Sequence, residues 1–232
     1  MTATTSWGTI QGQEITFPME VHAFNAATMG FTVPAGPARA LLPGDAFEIV
    51  ETSGMAQFIV SICDYRDNPW GDYNEVNLGF LARPAGAPAE VVGSFIYRMP
   101  VNQEFTCEAG NKVMGFPKVV TRIDAAYTDQ RASFALWDNG SIELAVSVPR
   151  VAGSTDASRS ESDSYSYLDG VAYSTPLAID ISSGVVSPAD VEITIGNGTI
   201  GAELASLGLP MTPDFCLWSE GMSATFQLGT PL

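Results

Sequence analysis

Short segments in which apolar and polar residues alternate recur along the chain, and this period of two most constrains the fold. In "EITFPMEVHAF" the alternation places Ile15, Phe17, Met19 and Val21 on one face of an extended segment. Comparable segments are "FEIVE", "AQFIVSICD", "NEVNLGFLA", "EVVGSFIYRM", "ASFALWD", "SIELAVSV", "PLAIDIS", "VEITIG" and "SATFQL", separated by turn-forming stretches such as "DNPWGD", "RPAGAP" and "DNGS". About ten short strands with regular turns predict an antiparallel sheet that forms a barrel or a sandwich. No repeat or change of composition marks a boundary, so residues 1–232 are predicted to form a single domain.

Helical spacing replaces the alternation in three segments, which span residues 36–43, 102–114 and 198–208. The second helix is expected to begin with Asn102 as its N-cap. It is expected to end near Gly115, because Phe116 precedes Pro117 and a residue before proline favours an extended backbone. Lys118 is therefore predicted to lie where a helix gives way to a strand.

The net charge of −16 excludes two classes of partner. Nucleic acids and anionic membrane surfaces both recruit lysine and arginine, which this chain uses sparingly. The sequence has no apolar run of roughly 20 residues that would span a bilayer. Its first residues, "MTATTSWGTIQGQE", lack the basic and apolar regions of a signal peptide. We therefore expect a cytoplasmic protein with no nucleic-acid and no membrane partner.

The cysteines are odd in number and far apart in the sequence. Cys63, Cys107 and Cys216 form no CxxC motif, which argues against a disulfide framework and against a zinc site. Each is interpreted as a small buried apolar residue. We expect no bound metal.

One segment has low complexity. Residues 153–167, "GSTDASRSESDSYSY", are rich in serine and aspartate and poor in aliphatic side chains. Such a composition does not pack as a core element, which predicts a mobile surface loop. A lid over a pocket is the alternative.

Only two lysines occur in the chain, and they differ in their surroundings. Lys112 follows Glu108 by four residues on the predicted helix, which is the spacing of an exposed ion pair. Lys118 lies between Pro117 and Val119 without a partner nearby in the sequence. A lysine in apolar surroundings loses hydration of its ammonium form, and its neutral amine becomes a nucleophile toward carbonyl groups. The alternative is that Lys118 extends from a strand end to the surface.

The stretch "GNKVMGFPKVV" resembles the segment of acetoacetate decarboxylases that leads to the Schiff-base lysine, and Lys118 falls on that lysine. "GDYNEV" resembles the family's upstream strand with an acidic residue, which corresponds to Glu75. "MGFTVPAGPARALLP", "YSYLDGVAYSTPLAIDIS" and "GNGTIGAELASLGLP" follow the family's order, so the resemblance extends over about residues 15–228. It implies a mainly β fold, an antiparallel cone-like β-barrel with a few short helices. It also implies a homo-oligomer that binds a small keto acid or ketone and needs no cofactor besides the covalent imine on lysine.

Several positions depart from the family pattern. Residues that are charged in the family are replaced by uncharged ones at Val119, at Phe31 or Thr32, and at Phe58. Arg122 does not substitute for the second lysine, because four residues of strand would place it about 13 Å from Lys118. Desolvation alone is therefore expected to activate Lys118.

The strand that carries Glu75 has two distinct faces. Tyr73, Glu75 and Asn77 share one face, which is either solvated or, in a closed sheet, lines a cavity and relays protons to the substrate. Among these, Tyr73 is a candidate substrate-binding residue. Tyr97 and Arg98 are candidates to contact a substrate carboxylate, although Arg98 is equally interpretable as a surface residue.

Phe116, next to the Pro-Lys pair, completes the candidate substrate-binding residues. The resemblance implies a Schiff-base lyase in which Lys118 attacks a keto-acid carbonyl and Glu75 transfers protons. Decarboxylation of a β-keto acid is the family's reaction. The alternatives are an imine-dependent aldolase or dehydratase acting on a pyruvate-type substrate, and a β-barrel that binds a small ligand without catalysis.

Overall fold

The structure of the protein is a computed structural model, which describes residues 4–154 and 158–232. The strands are β1 (Thr5–Ile10), β2 (Gln13–Phe17), β3 (Met19–Pro34), β4 (Phe47–Ile49), β5 (Glu51–Thr52), β6 (Met55–Asp67), β7 (Tyr73–Pro84), β8 (Gly93–Val101), β9 (Lys118–Val120), β10 (Ile123–Tyr127), β11 (Arg131–Asp138), β12 (Ser141–Pro149), β13 (Ser158–Leu168), β14 (Val171–Ile181), β15 (Ser183–Val186), β16 (Glu192–Ile195), β17 (Phe215–Phe226) and β18 (Thr230–Pro231). The helices are α1 (Ala35–Ala40), α2 (Glu104–Ala109) and α3 (Thr199–Ser206), with a π-helical turn at Gly110–Met114 and a 3-10 turn at Pro188–Asp190.

Seven strands close into a β-barrel, which confirms the predicted mainly β fold with a few short helices. Their order is β17, β3, β6, β7, β8, β13 and β14, and β14 pairs with β17 to complete the ring. Most neighbours are antiparallel. The exceptions involve β8, which pairs in parallel with β9 and, over two residue pairs, with β13.

The two faces of the barrel strands have different surroundings. Val76, Leu78 and Phe80 of β7 point to a core shared with a second, four-stranded sheet formed by β10, β11, β12 and β16, which contributes Phe134. Leu78 and Phe80 are fully buried, and burial of such a side chain contributes about 1.5–3 kcal/mol. The opposite face of β7, which carries Glu75, points to the inside of the barrel. The alternation in the sequence therefore separates a structural core from the barrel interior.

The helix before the Phe-Pro-Lys segment begins one residue later than predicted. Gln103, not Asn102, is the N-cap of α2, and its side chain accepts a hydrogen bond from the Thr106 amide at 2.7 Å. Asn102 is unavailable because its side-chain oxygen accepts a hydrogen bond from the Asn74 amide at 2.7 Å. The predicted end is confirmed, since Gly115 adopts a left-handed backbone with φ of 67°.

The serine-rich segment is not the predicted surface loop over most of its length. Residues 155–157 lie outside the described part of the chain, but Ser158–Leu168 form β13, which pairs along its whole length with β14. The expectation failed because the buried hydroxyls find partners: Ser166 donates to the Met114 carbonyl at 2.6 Å. Serines of this strand therefore form barrel wall, and they do not form a lid.

No helix in the described ranges has both the length and the apolar character needed to cross a bilayer.

Candidate active site

Lys118 is the first residue of β9, directly after the π-helical turn and the Phe116–Pro117 step. Met99 of β8 lies opposite it in a parallel pairing. The two residues that follow it point outward, since Val119 and Val120 are 56% and 46% exposed. The side chain of Lys118 is thereby directed to the interior of the barrel.

The backbone and the side chain of Lys118 are both held by the preceding helical segment. Its amide donates to the Asn111 side-chain oxygen at 2.8 Å, and its carbonyl accepts from the Asn111 side-chain nitrogen at 3.1 Å. The aliphatic part of the side chain crosses Gly110, where a Cβ atom would lie 2.6 Å from Cδ and 2.7 Å from Cε. Only glycine at this position leaves room for the observed path of the lysine.

The amine of Lys118 forms a buried ion pair with Glu75. Lys118 Nζ lies 2.7 Å from Glu75 Oε2, and the two side chains are 4% and 5% exposed. The same nitrogen donates to Thr106 Oγ1 at 3.0 Å and lies 5.1 Å from the centre of the Tyr73 ring, within cation–π range. Desolvation is therefore not the sole influence on this amine, because a carboxylate is in direct contact with it.

The second oxygen of Glu75 is held by two donors. Asn77 Nδ2 donates to Glu75 Oε1 at 3.1 Å, and the Tyr65 hydroxyl lies 3.4 Å from the same atom. Burial, reinforced by the charge of Glu75, raises the pKa of Tyr65 and of Tyr73 well above the usual value. The same two causes raise the pKa of the Cys63 thiol to about 12. These three groups therefore stay protonated at neutral pH and surround the carboxylate as neutral groups.

A cavity of about 310 Å³ opens beside the ion pair inside the barrel. Apolar side chains cover much of its wall, including Ile96, Phe116, Ile179, Met222 and Phe226. Hydroxyl groups of serine and threonine, together with the Asn77 amide, supply the remaining polar wall. The volume lies at the lower end of the range of about 300–1,000 Å³ that is usual for small-molecule sites.

Four of the six candidate site residues meet at this cavity. Lys118, Glu75, Tyr73 and Phe116 all line it. The side chain of Tyr73 covers the amine, and that of Phe116 forms part of the apolar wall. This grouping joins the end of a helix to a strand about forty positions earlier in the chain, as the resemblance implied.

Tyr97 and Arg98 are not among the residues that line the cavity, so their candidate role in substrate binding stays a prediction that this cavity does not support. The Tyr97 ring packs on the opposite face of the sheet, 5.5 Å from the ring of Phe80. Arg98 forms an ion pair with Glu203 of α3. Tyr97 follows Phe95 on the outer face, as simple alternation predicts. A register shift, in which Leu78 faces Arg98 while Gly79 faces Ile96, makes Tyr97 the extra residue of a bulge, so Met99 takes the inward position that alternation would give to Arg98.

Three residues near the amine were not identified from the sequence as site residues. Thr106 reaches Nζ from one turn before Gly110, and the i, i+4 spacing of these residues is a signal that could have placed both beside Lys118. Tyr65 and Cys63 reach Glu75 from β6, and only the pairing register of β6 with β7 reveals this proximity. Cys63 is buried as expected.

The other two cysteines differ from each other. Cys216 is buried as expected, whereas Cys107 is only partly buried, and its thiol lies 3.4 Å from the Lys118 carbonyl oxygen. In residues 4–154 and 158–232, no group of three or more His, Cys, Asp and Glu side chains is placed to hold a metal ion.

Comparisons with protein families and with solved structures identify proteins that are similar to this chain. The model of the acetoacetate decarboxylase family matches residues 4–208. The acetoacetate decarboxylase of Legionella pneumophila subsp. pneumophila str. Philadelphia 1 is similar in structure, with a TM-score of 0.70, 14% sequence identity, and coverage of 93% of this chain and 87% of that chain. None of the curated protein sequences matches this chain significantly.

Two further structures extend the comparison. An acetoacetate decarboxylase-like enzyme from Sphingomonas wittichii RW1 has a TM-score of 0.64 at 14% identity, with 97% of this chain and 98% of that chain covered. The enduracididine biosynthesis enzyme MppR, in its complex with pyruvate, has a TM-score of 0.61 at 14% identity, with 92% and 90% covered. At these identities the likeness to solved structures shows a shared fold.

Proposed function

The chain belongs to the acetoacetate decarboxylase family, and from this premise we propose that it is an enzyme that forms a Schiff base between Lys118 and the carbonyl carbon of a ketone or keto acid. The observation that carries the proposal is the position of the amine. Its side chain is 4% exposed, contacts a carboxylate at 2.7 Å and borders a cavity large enough for a small molecule.

Proton transfer within the ion pair makes the nucleophile. Two charges in a desolvated site are costly unless they are paired and hydrogen-bonded. Movement of one proton from Lys118 Nζ to Glu75 Oε2, across 2.7 Å, converts the pair into a neutral amine and a neutral carboxylic acid. Thr106, whose hydroxyl oxygen accepts from Nζ, keeps the amine oriented during this step.

The remaining steps use the same two groups. The lone pair of Nζ attacks the carbonyl carbon, and the oxygen takes up the proton that the nitrogen loses, which gives a carbinolamine. Glu75, now protonated, gives its proton to the leaving hydroxyl, and water departs to form an iminium ion. The bond between the neighbouring α-carbon and its leaving substituent then breaks, its electron pair forms the carbon–carbon double bond of an enamine, and the pair of the C=N bond moves to nitrogen. Glu75 takes up a proton, from the substrate hydroxyl in an aldol cleavage or from solvent in a decarboxylation, and gives it to the enamine carbon. Water then attacks the new iminium ion, the product leaves with its carbonyl oxygen, and the amine of Lys118 is restored.

Two lyase reactions can start from this iminium ion. Loss of carbon dioxide from a β-keto acid is the reaction in the family's name. Carbon–carbon cleavage or dehydration of an aldol-type substrate is the second candidate. It is favoured by a specific observation, because Lys118 supplies the one cationic group in the cavity wall formed by residues 4–154 and 158–232. The imine acts as the electron sink in both cases, so the proposal requires no separate cofactor. We further propose that the chain forms one domain and acts as a homo-oligomer.

Reductive trapping tests the proposal. The protein is incubated with acetoacetate, longer β-keto acids, pyruvate and neutral ketones, borohydride is added, and the modified peptide is identified by mass spectrometry. We expect an adduct on Lys118 and none on Lys112, which is exposed and paired with Glu108. The variants Lys118→Arg and Lys112→Arg form a matched pair, and only the first should abolish the adduct. A folded protein with no adduct on Lys118 from any of these compounds would leave the barrel as a non-catalytic binding protein.

A further inference from the structure

The charged side chains that line the cavity already neutralise each other in an ion pair. Glu75 and Lys118 are the charged side chains among the described residues that line it, and they form one ion pair. Every arginine of the chain is paired with a carboxylate outside the cavity, as Arg98 is with Glu203. A carboxylate carried by a ligand would therefore be buried without a cation of its own, which is strongly unfavourable.

The positions at which charged residues of the family are replaced do not restore such a cation. Phe31 and Phe58 both belong to the core on the outer face of the barrel. Thr32 is exposed, and its hydroxyl donates to Asp214 at 2.7 Å. On the same two strands, β3 and β6, the residues that line the cavity include Thr28, Ile59 and Ser61, none of which is charged.

The wall farther along the barrel is apolar on two adjoining strands. Leu177, Ile179 and Ile181 alternate along β14, and Met222 and Phe226 lie on β17. These strands pair with each other, so the side chains form one continuous surface. Such a surface suits a hydrocarbon tail, because burial of apolar area is the main favourable contribution to binding there.

Asn77 supplies an unused hydrogen-bond acceptor next to the reactive pair. Its nitrogen donates to Glu75 Oε1 at 3.1 Å, which fixes the orientation of the amide and turns Oδ1 away from the carboxylate. Oδ1 is buried and has no hydrogen-bond partner in the described part of the chain. Ser61 lies opposite Asn77 in the sheet, and it shares a hydrogen bond with Thr28 at 3.1 Å. The groups beside the ion pair are thus neutral and include one acceptor in need of a donor.

We propose that the substrate is an uncharged, mainly apolar carbonyl compound with a hydroxyl group near the carbonyl, and that Asn77 recognises this hydroxyl. The inference rests on the proposed function, because it specifies the substrate class of the same site. The hydroxyl donates to Asn77 Oδ1 while the carbonyl carbon lies at Lys118, on the two sides of the Glu75 carboxylate. The hydrocarbon part occupies the apolar wall of β14 and β17.

Three methyl ketones that share one skeleton provide the test. All three have a CH3–CO–CH2 group and differ in the carbon attached to its CH2. That carbon bears a hydroxyl and two methyl groups in diacetone alcohol, a hydrogen and two methyl groups in methyl isobutyl ketone, and is the carboxylate carbon in acetoacetate. The rate of borohydride-trapped adduct on Lys118 is measured for each. We expect diacetone alcohol to exceed acetoacetate by roughly 100-fold, because an unpaired buried charge is far less favourable than a paired neutral group. We expect it to exceed methyl isobutyl ketone by roughly tenfold through the hydrogen bond to Asn77.

The variant Asn77→Leu separates recognition from a general effect on Glu75. Loss of the hydrogen bond to Glu75 affects all three ketones, so the ratio between diacetone alcohol and methyl isobutyl ketone isolates the hydroxyl. That ratio should fall to about one in the variant, since the acceptor is gone. An unchanged ratio would overturn the role of Asn77, and faster trapping of acetoacetate in the wild type would overturn the uncharged substrate class.

A second measurement distinguishes failure of the inference from failure of the proposed function. Thermal stabilisation of the double variant Glu75→Gln with Lys118→Met, which leaves neither charge of the ion pair unpaired, reports binding of the same three ketones without an imine. If no ketone forms an adduct on the wild type but diacetone alcohol stabilises this variant most, the Schiff-base proposal fails and the ligand class stands. If acetoacetate stabilises it most, the ligand class fails.

Discussion

Replacement of Gly110 by alanine should separate catalysis from stability more cleanly than replacement of the lysine itself. The side chain of Lys118 crosses Gly110 so closely that a Cβ atom would lie 2.6 Å from Cδ. Non-bonded carbon atoms prefer about 3.5–4.0 Å, so the lysine chain must shift by about 1 Å. The shift is possible without unfolding, because the atoms that clash belong to a flexible side chain.

The magnitude follows from this displacement. A misplacement of about 1 Å at a reacting group lowers the rate roughly 100-fold. The backbone of Gly110 is helical, with φ of −60° and ψ of −42°, so alanine is tolerated there and gains about 0.5–1 kcal/mol in helix propensity. We therefore expect the free energy of unfolding of Gly110→Ala to stay within about 1 kcal/mol of the wild type, while the trapping rate at Lys118 falls.

The assay combines urea unfolding with the rate of borohydride-trapped adduct on Lys118. Gly36→Ala is the matched control, because Gly36 also lies in a helix and a Cβ atom there would have no neighbour within 4 Å. The control should match the wild type in trapping rate. Trapping by Gly110→Ala at the wild-type rate would refute the argument that the path of the lysine across this glycine positions the amine.

Three further predictions concern the site and its surroundings. Glu75→Gln leaves the Lys118 ammonium buried without its counter-charge and should lower the free energy of unfolding by roughly 3 kcal/mol. Adding Lys118→Met to this variant should recover much of the lost stability. If urea unfolding shows that the double variant loses the sum of the two single losses, the ion pair is contradicted. Burial, followed by the charge of Glu75, raises the pKa of Cys63 to about 12. Its thiolate is then about one part in a thousand at pH 9, so iodoacetamide should label it slowly in the folded protein and quickly in urea; equal rates by mass spectrometry would count against this. Arg98→Ala, which removes the partly exposed pair with Glu203, should cost less than about 1 kcal/mol and leave the trapping rate unchanged, whereas a large loss of trapping would return Arg98 to the site.

The parts of the site that depend on local sequence could be predicted. The alternation around Glu75 assigned Tyr73, Glu75 and Asn77 to one face, and the structure places that face inside the barrel. The preference of a residue before proline for an extended backbone, here at Phe116, predicted where the helix ends and hence the junction at which Lys118 lies. Both features follow from backbone geometry over a few residues.

The parts that depend on pairing between strands could not be predicted. Ile96 and Met99 both line the cavity although they are three residues apart, because the bulge at Tyr97 interrupts the alternation. A strict period of two would place them on opposite faces of the sheet. The contact between Lys118 and Glu75 depends on how two separate segments are placed by the whole barrel. Only the family resemblance linked those two residues before the structure did.

The serine-rich strand shows a different limit. Composition predicted that 153–167 would not pack, because serine and aspartate supply little apolar area. In β13, Ser164 and Ser166 are buried, and hydrogen bonding takes the place of hydrophobic burial. Composition alone does not reveal such partners, because they come from distant residues such as Met114.

Exchange of a ketone's carbonyl oxygen with solvent tests the central claim most directly, since it requires an imine but no further bond cleavage. A neutral ketone is incubated with the protein in water enriched in heavy oxygen, and label in the ketone is followed by mass spectrometry. Formation and hydrolysis of an imine on Lys118 predict protein-dependent exchange that is lost in Lys118→Met and kept in Lys112→Met. Exchange that persists without Lys118, or that is absent from the wild-type protein with ketones shown to bind, would contradict a Schiff base at this buried amine.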